Sequence, residues 1–513
     1  MRANKALKNI FWGFVYEAAN LISAFIIPKL ILEYFGSDYN GITNVIIQFL
    51  RVITLLQAGI GGVAIAALFK PLEEKDNQKL SSVIKTTESY LRKVAFIFIG
   101  IALIIAGVLP LFVKEFDYFF TASLVLIMSF ATFIQYFFGQ TYLFLFSADQ
   151  KQKIMHILNT AKLLLNTFIS AILIKLGFGI HFVQVGAAVI YVIAPIFLYI
   201  YANRKYEIDK TAKKDVNLLE QRWDSFGIQI ASFVTANISL IAISIFLSMT
   251  MASIFTTYNF VFAALTGLIN PFVSAIYVAF GNMMVRKETE LLKKSIRIYE
   301  QIIFSLATFL CGVTAAVIFP YMGLYTRNIS DTALYYQPVF AYIMVAASLF
   351  GMYQLPYTGV CVAAGHFRQM RNPAILQAFL SICISILLTF LFGIIGTAIG
   401  ILFAHAFRAI QYSTYVSQNI IKRSIGILIK RIGLSFFICV IIARIPYILA
   451  FSNPETWLGW IKMAVIVSII AMPLILVVEN IFYKEDFIEL LKIAKSALKG
   501  NSVINNNKRR ISK

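Results

Sequence analysis

Apolar residues fall in blocks of about twenty along almost the whole chain, and the polar residues between them come in short clusters. Each block is long enough to cross ~30 Å of hydrocarbon at about 1.5 Å per residue. The pattern predicts fourteen helical spans: 10–34, 40–68, 93–113, 118–145, 154–174, 181–202, 226–249, 257–284, 298–320, 338–360, 373–392, 397–418, 432–450 and 458–482. The intervals leave no room for a large soluble domain. Composition agrees, with 59% apolar residues, 13% charged residues and a mean hydropathy of +0.79 over 513 residues. A soluble chain would be about one-quarter charged. The expected class is an all-α polytopic membrane protein of about 14 transmembrane helices.

The net charge of +21 changes the picture only through where it lies. The N-terminus, every second loop and the tail hold 36 of the 45 Lys and Arg residues, with Lys93 at the head of span 3 counted with its loop, and 6 fall inside spans. The opposite loops hold 3, namely Lys114, Lys175 and Arg327. That alternation obeys the positive-inside rule and predicts that both termini are cytoplasmic. No basic face is joined to a soluble fold, so nucleic acid is not an expected partner. Cys311, Cys361, Cys383 and Cys439 lie in or beside apolar spans without CxxC spacing and read as small hydrophobes. The four histidines form no HExxH, and neither a metal nor a cofactor is expected. The basic N-terminus runs into a long apolar block with no small-residue cleavage site, as an uncleaved first span would.

Two inner loops share a design. Residues 72–93 bring Leu80, Val83, Ile84, Thr87 and Leu91 near one helical face, and residues 286–300 do so with Leu291, Leu292, Ile296 and Tyr299. Both are expected to be short amphipathic helices on the cytoplasmic surface. Their positions suggest a repeat of six spans. The pairs Tyr39-Asn40 and Tyr258-Asn259, at the heads of spans 2 and 8, set a register in which Arg51 matches Asn270. The domains predicted are an N-lobe (1–202), an inter-lobe cytoplasmic loop (203–225), a C-lobe (226–418), an added pair of spans (419–482) and a basic cytoplasmic tail (483–513). Transporters are commonly built from such repeats, with the site between them near the midplane.

The polar-studded first span FWGFVYEAANLISAFIIPKLILEYFG is followed by the turn EYFGSDYNGITN and a second span ending QAGIGGVAIAALFKPL. That order, strongest over residues 10–72, resembles the polysaccharide-transporter branch of the multidrug/oligosaccharidyl-lipid/polysaccharide flippases. The resemblance extends over the whole chain in span count, loop pattern and orientation. It implies two six-helix lobes in the manner of the multidrug transporters, around a central cavity open alternately to each side, plus two C-terminal helices that guide a lipid tail. It further implies a bacterial cytoplasmic (inner) membrane, membrane lipids as surroundings and an undecaprenyl-diphosphate-linked oligosaccharide as cargo. Polysaccharide polymerase and chain-length machinery are the protein partners it implies. In the turn, Gly36, Asp38, Asn40 and Gly41 can adopt the tight conformations that a hairpin with about five linking residues needs.

Charges inside spans carry the candidate chemistry. A charged residue at the centre of a spanning helix costs roughly 2.5–3.5 kcal/mol, so it normally faces a cavity and a partner. Counted from the inner side, Glu17 lies at about 10 Å, Lys162 at about 12 Å, Arg51 at ~13 Å and Arg408 at about 15 Å. Asn159 and Asn166 flank Lys162, while Asn237 and Asn270 add uncharged donors from the second lobe. Three cations against one carboxylate suit an anionic cargo better than a structural network. Arg forks two N–H groups onto phosphate oxygens, and Lys adds a mobile point charge. The asparagines, the tyrosines and Trp12 suit sugar hydroxyls. The blander readings are an Arg51–Glu17 salt bridge, an Arg408 that reaches the inner head groups and a Lys29 that snorkels outward.

These residues favour a flippase that breaks no bond and works by alternating access, with Glu17 as the ion-coupling candidate. A drug or organic-cation antiporter would present an acidic cavity. A peptidoglycan-precursor flippase is a variant of the same reading. A membrane glycosyltransferase or polysaccharide polymerase would need a nucleotide-sugar domain or a large outer loop with acid/base residues, and neither is present.

Overall fold

The computed structural model describes residues 2–53, 57, 60–149, 151–209, 211–214, 226–285, 288–329, 332–364, 366–424 and 426–490. Arg286, Lys287, residues 215–225 of the inter-lobe loop and the tail from 491 lie outside them. Every regular element among the described residues is helical. Eleven of these helices are long and apolar enough to cross a membrane. The longest candidate, Gln369–Ile421, covers spans 11 and 12, divided at Gly393 with φ 62° and ψ −141°. Span 2 is present as Ser37–Leu50 and Ile60–Glu74, and span 7 as Phe226–Phe246. All fourteen predicted spans thus have a helical counterpart, in a multi-pass, all-α protein.

Two local expectations are corrected. The amphipathic stretches are not separate surface helices, because they are the first turns of the continuous helices Asn77–Val108 and Thr289–Tyr325. No Pro or Gly interrupts either stretch, so the backbone runs straight into the span. The predicted face is buried in protein: Leu80, Ile84, Leu91, Ile296 and Tyr299 are all buried, whereas Leu291 is exposed. Asp76 caps the first of these helices, accepting from the Lys79 amide at 2.9 Å. The turn at 36–41 is also shorter than predicted. Gly36 alone, at φ 93°, separates Arg2–Phe35 from Ser37–Leu50, and Asp38 already sits in the first turn of the second helix. One glycine at positive φ reverses the chain without help from its neighbours.

The chain divides into two compact units. The first comprises Met1–Thr257, Thr326–Tyr335 and Ile382–Thr397. Within it Arg2–Phe35 packs along Gln152–Lys175, and Ile31, Ile174, Ile180 and Val183 form an apolar cluster. Near Gly36 the start of Ser37–Leu50 meets the start of Met249–Val285 through polar groups. Asn40 donates to Ser253 at 2.7 Å, Ser253 and Tyr335 bond at 2.7 Å, and the Tyr335 hydroxyl donates to Ser37 at 3.0 Å. Thr250 donates to Asp38 beside them. Gly41 makes this approach possible, since a Cβ there would lie 1.9 Å from the Met249 carbonyl oxygen.

The second unit comprises Tyr258–Tyr325, Tyr336–Ser381 and Ala398–Lys513. Here the two added spans, Gly426–Ile448 and Trp457–Phe482, pack on Thr289–Tyr325. Val317, Ile442, Val467 and Ala471 are among the residues that fill that contact. Trp460 adds a hydrogen bond from its indole N–H to the Val317 carbonyl at 3.1 Å.

Candidate functional site

Arg51 ends a helix. Ser37–Leu50 stops at Leu50, Arg51 and Val52 form a turn, Ile53 is helical again, and the next helix with described bounds is Ile60–Glu74. Span 2 was expected to be continuous. A break in mid-membrane is tolerated where the backbone lines a cavity or is covered by protein, and a cavity is present. It has a volume of about 490 Å³ and lies wholly within the first unit. Five spans supply its wall.

The polar residues of that wall come in helical steps. Asn20 and Ser23 stand on span 1, Asn40 and Asn44 on span 2, Asn166 and Ser170 on span 5, and Gln184 and Tyr191 on span 6. Span 4 adds Thr132, and Arg51 completes the set. Thr167 donates to Ser23 at 2.8 Å, and Asn44 donates to the Asn40 carbonyl at 2.8 Å, so part of the wall is held by its own hydrogen bonds. Among the described residues that line the cavity, Arg51 carries the only charge. Its guanidinium side chain is exposed, as a cavity-facing group should be.

The other candidates are placed as follows. Lys162 is half-buried, with its ammonium 4.8 Å from the centre of the Tyr191 ring, a cation–π contact with a residue of the cavity wall. Asn166 lines the cavity, and Asn159 is half-buried two turns away on the same helix. Glu17 is exposed and does not line the cavity, and no ion pair joins it to Arg51 among the described residues. Asn237 is buried in the first unit, donating to the Phe233 carbonyl at 2.6 Å while its Oδ1 has no partner among the described residues. Arg408 belongs to the second unit, where its guanidinium lies 4.0 Å from the Tyr412 ring centre and donates to that hydroxyl at 2.7 Å. The side chain of Asn270 lies outside the described residues. Lys29 forms an i,i+4 ion pair with Glu33 at 3.6 Å.

Sequence reasoning missed Asn20, Ser23, Asn44, Gln184 and Tyr191. Their signal was the spacing of three, four or seven positions on one helical face. A second omission lies in the second unit. Glu300, 1% exposed, accepts two hydrogen bonds from Arg423 at 2.5 and 2.6 Å and one from Arg431 at 3.3 Å. Arg431 also reaches Asp486 at 3.4 Å.

No protein-family model matches the sequence, and no curated protein does. Solved structures do match. The chain is similar to the lipid II flippase MurJ in an inward closed conformation, with a TM-score of 0.71 and 14% identity over 93% of this chain and 99% of that one. The fold is that of the MOP flippases and transporters. An inward-facing multidrug resistance MATE family transporter of the MOP superfamily follows at TM-score 0.59 and 14% identity, covering 78% and 94% of the two chains. A MOP superfamily transporter from Pyrococcus furiosus, whose reversed binding-pocket polarity suggests a different function, aligns at TM-score 0.51 and 13% identity over 82% and 95%. These neighbours are transporters and flippases, and the likeness shows that this chain shares their all-α membrane fold.

Proposed function

We propose that the chain is a flippase that carries an undecaprenyl-diphosphate-linked oligosaccharide, a repeat unit of O-antigen or capsule type, from the cytoplasmic to the outer leaflet. The observation that carries this reading is the cavity of the first unit. Its described lining combines one guanidinium with amides and hydroxyls and contains no carboxylate. An organic cation would meet an unfavourable field there. A phosphate would meet a forked donor, and sugar hydroxyls would meet groups that both donate and accept. In this reading Arg51 holds the diphosphate, Lys162 contributes charge from behind Tyr191, and the asparagines face the glycan. Entry from the cytoplasm and release outside follow from alternating access, with the termini on the cytoplasmic side.

The likeness to a lipid II flippase favours a second reading, in which the glycan is a peptidoglycan precursor. Both readings share the diphosphate.

The test is surface-glycan export measured beside protein abundance in cells. Arg51→Ala is expected to abolish export while abundance stays normal. Arg51→Lys should retain part of it, because a point charge replaces a two-pronged donor. Normal export from well-expressed Arg51→Ala protein would sink the proposal. Rescue of cells depleted of their own lipid II flippase would move the assignment to the second reading.

A further inference from the structure

A second cavity, about 390 Å³, opens on the first unit at the end of the spans that carries the Lys and Arg excess. Its floor is the polar beginning of Asn77–Val108, its sides are Tyr142 and the end of Ile180–Lys205, and its rim is the chain that leaves that helix. The rim is pinned. Asn77 donates to Glu207 at 2.7 Å, the Asp209 amide to Ser81 at 2.8 Å, Ser82 to the Lys213 carbonyl at 2.6 Å and Lys214 to Ser89 at 2.7 Å. Four bonds spread over three turns of helix make a built wall.

Four cations, Lys85, Arg92, Lys93 and Lys214, line this pocket with two carboxylates, Glu88 and Asp209. Both carboxylates are engaged. Glu88 accepts from the Tyr142 hydroxyl at 2.6 Å and lies 3.7 Å from Arg92. Asp209 accepts from the Thr211 amide and hydroxyl, both at 2.7 Å, which holds its carboxyl below the usual range and keeps it ionised. The positive excess still has donors to spare. The Arg92 Nε is buried without a partner among the described residues, and Lys214 has used one of its three N–H groups on Ser89. Lys93 is exposed and forms no ion pair among the described residues.

Exposed apolar side chains adjoin the pocket. Phe96 at the edge is 62% exposed, and Leu103 and Ile104 continue the stripe along the same helix. On Ile180–Lys205, Ile196 and Ile200, which flank the pocket residues Tyr199 and Asn203 at helical spacing, are exposed. A cationic pocket set beside exposed apolar side chains matches one molecule shape, a phosphate head with acyl chains.

We propose that the pocket formed by Lys85, Arg92, Lys93 and Lys214 binds the phosphate of an anionic phospholipid head group, whose acyl chains lie along the exposed apolar side chains that begin at Phe96 and Ile200. The ligand is a resident of the membrane and is distinct from the cargo of the Arg51 cavity.

The experiment uses the full chain, purified in a neutral detergent, and reads bound lipid by native mass spectrometry together with the melting temperature. Three probes are added separately: phosphatidylglycerol, phosphatidylcholine of the same acyl chains, and inorganic phosphate. Phosphatidylglycerol is expected to remain bound and raise the melting temperature, and the other two to do neither. The double variant Lys93→Gln, Lys214→Gln should bind phosphatidylglycerol roughly ten- to thirtyfold more weakly, since each juxtamembrane cation is worth about a factor of five. Lys175→Gln, outside the pocket, should bind as the parent does. Native spectra separate folded from unfolded protein by charge state, so a misfolded variant cannot mimic a loss of binding. Equal retention of phosphatidylcholine, full stabilisation by inorganic phosphate alone, or undiminished binding by the double variant would each overturn the proposal.

Discussion

Glu300 satisfies two guanidiniums from a position with 1% exposure. Removing the carboxylate would strand those charges in a buried site, which is strongly destabilising. Glu300→Ala is therefore expected to lower stability by about 3–5 kcal/mol, read as a fall in melting temperature in detergent, with Glu300→Gln falling less because an amide oxygen still accepts. An unchanged melting temperature for Glu300→Ala would show that Asp486 alone suffices for Arg431. Legibility at this scale depended on contrast. Arg51 was visible because a lone charge interrupts an apolar run. Glu300 was hidden because it closes the charged run RKETELLKKSIRIYE, and its partners are 123 and 131 residues away. Gln184 and Tyr191 were hidden for another reason, since single amides and phenols are ordinary in membrane helices and only their shared face distinguishes them.

Helices here owe their ends to a few residues and their contacts to fewer. At Gly41 an added methyl would meet the Met249 carbonyl oxygen at 1.9 Å, so Gly41→Ala must push two helix ends apart. The expected cost is about 1–3 kcal/mol of stability, together with loss of the Asn40–Ser253 bond. Gly267→Ala, in a helix with nothing within 4 Å of the new Cβ, is the control and should be neutral or stabilising by up to about 1 kcal/mol. Comparable melting curves for the two variants would contradict the close approach. Hydrophobic blocks marked the spans reliably because a bilayer demands them. They could not mark the break at Arg51, which polar cover makes tolerable, nor reveal that residues 77–93 continue into span 3. Both depend on what packs alongside, which one-dimensional periodicity does not record.

Taken as a whole, the chain alternates in charge from loop to loop between its predicted spans, with 36 cations in one set of loops and termini and 3 in the other. A cytoplasmic-type reporter fused after Lys513 should therefore be active, and one fused within the 114–117 loop inactive. The opposite result at the C-terminus would remove one span from the count or reverse the orientation. For the alternating access proposed above, the polar contacts among Ser37, Asp38, Asn40, Thr250, Ser253 and Tyr335 set part of the cost of a change of state. Exchanged for water, each hydrogen bond is worth about 0.5–1.5 kcal/mol net, and four together about 2–6. Reversing a population from 1:99 to 99:1 takes about 5.5 kcal/mol of differential affinity. On that proposal a clasp of this size would hold when nothing is bound, yet lie within the reach of a single ligand that prefers the parted arrangement. It needs no fuel of its own to be undone.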